Sequence, residues 1–533
     1  MPWRLYRYML GDVLRQFAIT AAVLVVVIAF GAAVKPLAND SLLSPLDIAR
    51  YVGLAIVPML QFALPFAAAF AATLSLHRMS QDNEIIAMAA AGNSYVRILA
   101  PVVALGVALT ITLAVLTQWI VPQFVGMMGQ AVTHDLPRLL ARSIQQHTPF
   151  VQGDLVIWAE DIIVVPGGEN GGERLGLEKV AVAKLDKAGQ PIMDLTASAA
   201  VVDVRRADGV TTVFVETKNA VSWERESDGS GMLHGAERGQ LTDPVSLPSL
   251  TQGRPSSLTQ PQLIDLYEHP LEYAQVARAA NRLADALRHD LLWTRMNEVL
   301  QSGQPLILRA ASGGRTFDVS AGGIAGGRLL GSVHVTMRHK TLDTRSLQPR
   351  RANLLAEAST RGRVEAVTLF MKDVRVEGAE GGDNRRDEIT RPDLVPENIG
   401  ELPRVPREVD RLLEMAEPSE DPEVVASVKS VQSALISMHH QITSRIAQRY
   451  ALSLSGIFIV LLGGIFAIRL RERPPLATYL LAFLPAVIDL LLVFAGGQMV
   501  RDGSVVSGFI VMWSGNAALS ALVLYQWWRL RTN

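Results

Sequence analysis

The chain has 533 residues, 49% of them apolar, and 50 Lys and Arg stand against 51 Asp and Glu for a net charge of −1. That balance excludes a strongly basic nucleic-acid binder and a highly charged disordered chain. The sequence has no cysteine, which excludes a disulfide scaffold and leaves any domain outside the cytoplasm to stand on packing alone.

Apolar residues collect in two blocks. Runs at 17–34, 52–76 and 98–121 lie in the first, and runs at 452–468, 476–500 and 507–527 in the second. Each is near the roughly 20 residues that a bilayer core requires. The spacing predicts six spans in a three-plus-three arrangement, and a membrane α plus β fold with one large polar domain between spans three and four. Lys and Arg orient it. Arg4, Arg7 and Arg15 precede span 1, Arg78 and Arg97 bracket the turn between spans 2 and 3, Arg469, Arg471 and Arg473 fill the turn between spans 4 and 5, and Arg529 and Arg531 follow span 6. The opposite loops hold Lys35, Arg50 and Arg501, partly offset by Asp40, Asp47 and Asp502. Both termini are therefore expected in the cytoplasm and the inserted domain outside. The first run is long for a signal peptide and five more follow it, so span 1 is expected to be retained.

Lys35, at the outer end of span 1, suits a snorkelling lysine or a contact to a phosphate-bearing headgroup. Phe62, Phe66 and Phe70 recur every four residues along span 2, a stripe suited to helix packing, lipid contact or a cavity lining. The turn after span 2 reads Leu76-His-Arg-Met-Ser-Gln-Asp-Asn-Glu-Ile-Ile-Ala-Met-Ala-Ala-Ala-Gly-Asn93. Ser80 suits an N-cap, Asp82 and Glu84 suit the positive end of a helix dipole, and Gly92 suits a C′ stop, which predicts a short helix at 80–92. Ile85, Met88 and Ala89 beside an exposed carboxylate make a peg for a partner's groove; a solvated interfacial helix is the plainer reading.

From residue 150, short alternating runs at 150–156, 161–165, 180–185, 199–204 and 211–216 predict antiparallel hairpins of a sandwich or open barrel. The charged, Ser-, Gly- and Pro-rich stretch 225–257 reads as a loop or a disordered segment, and 260–301 has helical spacing. Strands resume at 306–310, 316–320, 331–337, 352–356 and 364–370. Segments 154–162, 177–185 and 211–224 are echoed at 315–324, 330–338 and 366–377, a pattern shared by a diverged duplication and by any two β-meanders. Residues 380–423 read as an acidic, Pro-containing linker and 424–450 as a helical lead into span 4. The expected domains are 1–125 (spans 1 to 3), 126–225 (first β module), 226–305 (loop and helical insertion), 306–379 (second β module), 380–423 (linker) and 424–533 (spans 4 to 6).

Asp489 sits in the middle of the fifth run, where a carboxylate costs about 2.5–3.5 kcal/mol and should face a partner helix or a wet cavity. No catalytic constellation stands out. Neither GxxxxGK[ST] nor GxSxG occurs, and adjacent His439 and His440 point apart on a helix. The chain reads as non-catalytic, with no cofactor and no metal, so any work it does draws on energy from elsewhere.

The acidic helix ending Glu84-Ile-Ile-Ala-Met-Ala-Ala-Ala-Gly92 resembles the coupling helix of the LptF/LptG lipopolysaccharide-export permease family. Three further stretches are similar: Tyr6-Arg-Tyr-Met-Leu10, Val156-Ile-Trp-Ala-Glu160 with Leu177 to Val180, and the block from Arg445-Ile-Ala447 through Gly463-Gly464 to Trp513-Ser-Gly-Asn516. The resemblance covers residues 1–225 and 425–533. The long segment between has no counterpart in the family's pattern, and these motifs do not separate F-type from G-type permeases. It implies a bacterial inner-membrane protein with a periplasmic β-jellyroll, paired with a second LptF/LptG-type permease. It also implies a cytoplasmic LptB-like ABC ATPase dimer, an LptC/LptA-like periplasmic bridge protein, and lipopolysaccharide as cargo among the membrane lipids. In residue terms it implies Glu84 as the coupling glutamate, with Asp82, Ile85 and Met88 around it. Lys35, Asp489, Phe62, Phe66 and Phe70 become substrate or gate candidates. Val156, Trp158, Val180, Val182, Val213 and Val215 become slot candidates, of which alternation points half inward. A permease for another lipid or lipoprotein, and a membrane-anchored sensor or scaffold, are the competing readings. An ion-coupled transporter is expected to carry more intramembrane charge than Asp489.

Overall fold

Inside a bilayer a spanning backbone has no hydrogen-bond partner but itself, so apolar runs of this length form helices. A computed structural model describes residues 3–38, 45–134, 143–144, 148–152, 155–165, 173–186, 190–207, 210–225, 231–240, 245–247, 255–310, 314–339, 345–356, 366–377 and 384–532. Among them, six helices are long and apolar enough to cross a membrane. The first half begins with α1 (Trp3–Ala38), α2 (Pro45–Gln81) and α3 (Glu84–Ala90). The third span runs through α4 (Tyr95–Val115), a π-helical turn (Leu116–Ile120) and α5 (Val121–His134). Strands β1 (Phe150–Gln152), β2 (Leu155–Trp158), β3 (Asp161–Val165), β4 (Glu173–Leu185), β5 (Pro191–Ala207), β6 (Val210–Arg225), β7 (Gly231–Gln240) and β8 (Val245–Leu247) follow. Helices α6 (Gln260–Glu268) and α7 (Ala274–Gln301) come next. Strands β9 (Leu306–Ala310), β10 (Arg315–Ser320), β11 (Gly323–Ala325), β12 (Arg328–Leu330), β13 (His334–His339), β14 (Arg345–Ala356), β15 (Val367–Glu377) and β16 (Asn384–Pro396) complete the inserted region. Helix α8 (Val409–Ala416) then precedes the last three spans, α9 (Pro422–Arg469), α10 (Pro475–Arg501) and α11 (Val505–Thr532).

The chain folds as two units, Met1–His269 with Ser437–Asn533, and Pro270–Ile436. In the first, the helices are drawn together by small residues, since lipid tails offer no hydrophobic drive and close packing must hold spans in register. A β-carbon on Gly463 would lie 2.7 Å from Thr73 Oγ1 and 2.9 Å from the Ala69 carbonyl oxygen. One on Gly496 would lie 2.5 Å from the Gly508 carbonyl oxygen and 2.7 Å from the Met512 α-carbon. The α2–α9 and α10–α11 seams therefore run backbone against backbone. Next to the π turn, Thr117 returns its hydroxyl to the Leu113 carbonyl at 2.8 Å and lies 3.4 Å from Ser453 of α9.

Strands β1 to β8 form one antiparallel sheet in the order β1-β2-β4-β5-β6-β7, with β3 also on β4 and β8 on β6. The pairing is a meander of long strands; β5 alone has 17 residues, about 56 Å at 3.3 Å per residue. One face is apolar: Leu175, Leu177, Val180 and Ala200 are buried, with Ile157, Val182 and Val202 packed against them. The face switches at Glu178 and Lys179, where two consecutive residues point outward and Lys179 takes φ 48°. Lys179 pairs with Glu160, and that hydrogen bond holds its ammonium above the usual lysine range.

The second unit contains a closed barrel. Strand β14 pairs with both β13 and β15, so β14-β13-β10-β9-β16-β15 returns to β14, antiparallel throughout. Its interior is filled by Phe317, Val319, Val335, Leu354, Leu369 and Met371, with Leu292, Met296 and Leu300 of α7 in the same core. A ring this small leaves room for its own side chains. Gly327 (φ +79°) turns the β11–β12 hairpin, and its carbonyl accepts the Leu354 amide at 2.6 Å. A β-carbon there would collide with the Leu354 carbonyl oxygen.

The expected fold class holds: six membrane helices, with a sheet-rich region between the third and fourth spans. Three details differ from the sequence reading. The stretch 225–257 contributes β7 and β8, which extend the first sheet; its Gly and charged residues hid the pairing, which is main chain to main chain. The stretch 380–423 contributes β16 and α8. In β16, charged residues face out around Ile389 and Leu394. Pro392 sits in a bulge with Asp393 at φ 54°, where a missing amide donor costs nothing. Finally, the two strand sets do not share a strand order, so the sequence echo between them is not carried into their pairing.

Gly496→Val is expected to destabilise the protein by about 1–3 kcal/mol through overpacking. Gly11→Ala, with nothing within 4 Å of the new carbon, should leave thermal unfolding in detergent unchanged. Equal melting of both variants would refute the α10–α11 packing.

Candidate functional site

Helix α3 is an appendage of the spans. Helix α2 continues to Gln81, so Ser80 lies inside it, buried, and Asp82 is exposed in the turn that follows. The N-cap falls on Asn83, in the left-handed region at φ 59°, and makes no side-chain cap bond. The helix is thus shorter than the expected 80–92, because two turn residues separate it from α2. Its stop is the expected one: Gly92 takes φ +83°, its amide donates to the Ala89 carbonyl at 3.0 Å, and the Asn93 amide reaches back to Met88 at 3.2 Å. That is a Schellman closure.

Ile85 and Met88, expected on the partner-facing side, are 2% and 8% exposed and belong to the chain's own core with Leu76, Met79 and Ile98. With helical periodicity, turning these two inward turns Ile86, Ala87 and Ala90 outward, all exposed. Glu84 is half-buried at the first helical position. One face anchors and the other is free.

Behind the anchor lies a polar clasp absent from the sequence reading. Asp12 of α1 accepts from Ser75 Oγ at 2.5 Å and from Arg78 Nη2 at 2.9 Å, tying α1 to the end of α2 just before α3. The available signal was an acid inside the first helix and a basic residue at the end of the second, too far apart in sequence for any helical spacing rule.

Phe62, Phe66 and Phe70 lie on the α2–α10 seam. Phe62 meets Phe494 at 5.8 Å, Phe66 meets Phe483 at 5.0 Å, and Phe70 meets Tyr479 edge-on at 4.8 Å between ring centroids. Phe70 and Tyr479 also border an apolar pocket of about 260 Å³ with Thr73, Leu74, Pro474, Pro475 and Leu476.

Asp489 is fully buried and packs against α11. The Gly515 position is so close that a β-carbon there would lie 2.9 Å from the Asp489 α-carbon, and Ser455 of α9 gives its hydroxyl to the Ala451 carbonyl at 2.9 Å. Asn516, next along α11, donates to the Ala451 carbonyl at 3.2 Å. The Trp513-Ser-Gly-Asn516 motif is therefore where α11 receives the acid of α10 and grips α9.

A second polar group missed in the sequence lies where α9 meets α10. Arg449 is 7% exposed and donates to the Leu258 carbonyl at 2.8 Å, while Ser444 donates to the Gly497 carbonyl at 2.7 Å. Arg445 and Arg449 stand four apart just before an apolar run, and that spacing was the legible signal.

The slot candidates divide by register. Ile157 pairs with Val182 and Trp158 with Ala181, so Val180 and Val182 share the apolar face with Ile157, while Val156 and Trp158 point to the opposite side. Val213 and Val215 pair with Val204 and Val202, but their side chains lie outside the described residues. The side chain of Lys35, within α1, lies outside them as well.

A scan against protein-family models matches residues 7–293, more than half of the chain, to the family described as lipopolysaccharide export system permease LptF/LptG. No curated protein matches the chain.

Because the natural chain has no cysteine, single reporters can check the two faces of α3. Ala87→Cys and Ala90→Cys are expected to react with a maleimide in opened membranes, and Met88→Cys about tenfold more slowly, since a buried thiol is inert. Equal labelling at all three would contradict the anchored geometry.

Proposed function

The chain belongs to the LptF/LptG permease family and is a multi-pass inner-membrane protein, and from that premise we propose that it is the permease subunit of an ATP-driven lipopolysaccharide exporter. Its task is to draw an amphiphile out of a bilayer, at about 0.8 kcal/mol for each acyl CH₂ exposed to water. The sequence has no phosphate-binding loop, so the energy enters through a separate cytoplasmic ATPase dimer and the chain itself is non-catalytic. Orientation follows the Lys and Arg bias, with both termini and α3 in the cytoplasm and the sheets in the periplasm.

The observation that carries the proposal is α3. A helix clamped to the spans by Ile85 and Met88, presenting Ile86, Ala87 and Ala90 beside Glu84, is built to pass a push from a docked ATPase directly into α2 and α4. Glu84 supplies the charge that a basic groove on the ATPase receives. The cargo path starts between this chain and a second permease. The outward faces of α1 (Leu14, Ile19, Val23, Phe30) and of α10 (Leu476, Leu480, Leu484, Leu491) are apolar and exposed, which suits a lateral gate lined by both chains. Lys35 meets the headgroup phosphates at the outer end of α1, and Asp489 sets the position of α10 from its inner side. Extracted acyl chains then follow the apolar face of the first sheet, through Leu177, Val180, Val182 and Ala200, toward a periplasmic bridge protein.

Purification of the tagged full-length chain from native membranes in mild detergent, with co-purifying proteins identified by mass spectrometry, tests this reading. A P-loop ATPase and a second six-span permease are expected. Glu84→Arg should lose the ATPase and keep the permease. Glu84→Ala should insert normally but uncouple ATP hydrolysis, a loss of about 2–5 kcal/mol if the interfacial charge pair is desolvated. Recovery of the chain with signalling proteins that ignore the Glu84 variants would point to a membrane-anchored sensor instead.

A further inference from the structure

The barrel of the second unit lies beyond the matched residues 7–293, and its outer wall carries a cationic pocket that the export reading does not use. The pocket, of about 370 Å³, is lined by Arg328, Arg351, Asn353, Phe370 and Lys372. Strand register assembles it. Arg351 of β14 stands opposite Lys372 of β15, Asn353 stands opposite Phe370, and Arg328 of β12 stands opposite Asn353 from the other side. Ala352, Leu354, Leu369 and Met371 point into the core, so these intervening residues face out.

Two features set the placement apart. Arg351 and Lys372 are like charges directly across a strand pair, an arrangement that destabilises a sheet. Both strands also present two successive residues outward here, Arg350 with Arg351 and Lys372 with Asp373, the last at φ 53°. The nearby acids are Asp373 and, across from Lys372 on β16, Glu388. Among the described residues neither forms an ion pair with Arg328, Arg351 or Lys372, whereas Arg309 pairs with Glu397 and Arg338 with Asp318 on the same barrel. The Lys372 ammonium lies over the Phe370 ring, 5.4 Å from its centroid, which fixes its direction and leaves its protons free.

We propose that this pocket binds a phosphate monoester carried on a hydroxylated group such as a sugar or a lipid headgroup. The guanidinium forks of Arg328 and Arg351 and the ammonium of Lys372 receive the phosphate oxygens. Asn353 offers both a donor and an acceptor to a hydroxyl, and the rest of the Phe370 ring packs on the apolar face of the attached group. The pocket is open to solvent on one side and extends from the cationic groups to Asn353 and Phe370, so the carrier is accommodated with the phosphate. The hairpin turned by Gly326 and Gly327 holds Arg328 in place from outside the barrel ring.

The test is calorimetric titration of the full-length chain in detergent with two probes, glucose 1-phosphate and dihexanoyl phosphatidic acid, with glucose as the uncharged control. Saturable, salt-weakened binding of either phosphate probe and none of glucose is expected; the tighter probe identifies a soluble or a lipid source. The double variant Arg351→Ala and Lys372→Ala should weaken binding by more than about tenfold while melting no lower than the natural chain, because it removes a like-charge pair. Arg328→Gln, on a separate hairpin, should weaken it independently, and Arg309→Ala should not. Failure of both phosphate probes to saturate, or unchanged affinity in both pocket variants, would overturn the proposal and leave the export reading untouched.

Discussion

The constraint on which the rest depends is mechanical. A chain that does work on a lipid with energy released elsewhere needs a rigid place to be pushed. Seven residues of helix would fray in isolation. Here α3 persists because Ile85 and Met88 are part of the same core as Leu76, Met79 and Ile98, and because Gly92 closes its last turn onto Met88 and Ala89. The Asp12 clasp on Ser75 and Arg78 then ties the end of α2 to α1, so three spans share one rigid end.

Away from that end, the spans are held by closeness more than by charge. Gly463 against Ala69, and Gly496 against Gly508, bring main chains together. Small-residue seams of this kind let main chains approach closely and hold the spans in register. Buried polar groups add fixed points along these seams, Asp489 packed on Gly515 and Arg449 bonded to the Leu258 carbonyl. The two β regions divide the remaining labour physically. The long meander offers one apolar face, while the barrel has a filled interior and can act only through its surface.

Much of this was legible in the sequence because the relevant signals are local and repetitive. The six apolar runs and the glycine at position 92 each follow from one rule applied to one stretch. The fate of Ile85 and Met88 was not, because a short helix with apolar residues on one side reads the same whether that side faces a partner or its own spans. Asp12 with Arg78, and Arg351 with Lys372, come together only through tertiary pairing, which no periodicity reports. Strand β16 escaped notice because Pro392 and its charged neighbours mimic a linker, and only the bulge at Asp393 reconciles them with a barrel.

The central claim is that the exposed ridge of α3 is the surface on which an ATPase docks. Site-specific photocrosslinking in native membranes measures this directly, with the reactive group placed in turn at Ala87, Ala90 and Met88. The account predicts crosslinks to a P-loop ATPase from Ala87 and Ala90, and from Met88 only crosslinks within the chain. Crosslinks to the ATPase from Met88, or from none of the three, would contradict it.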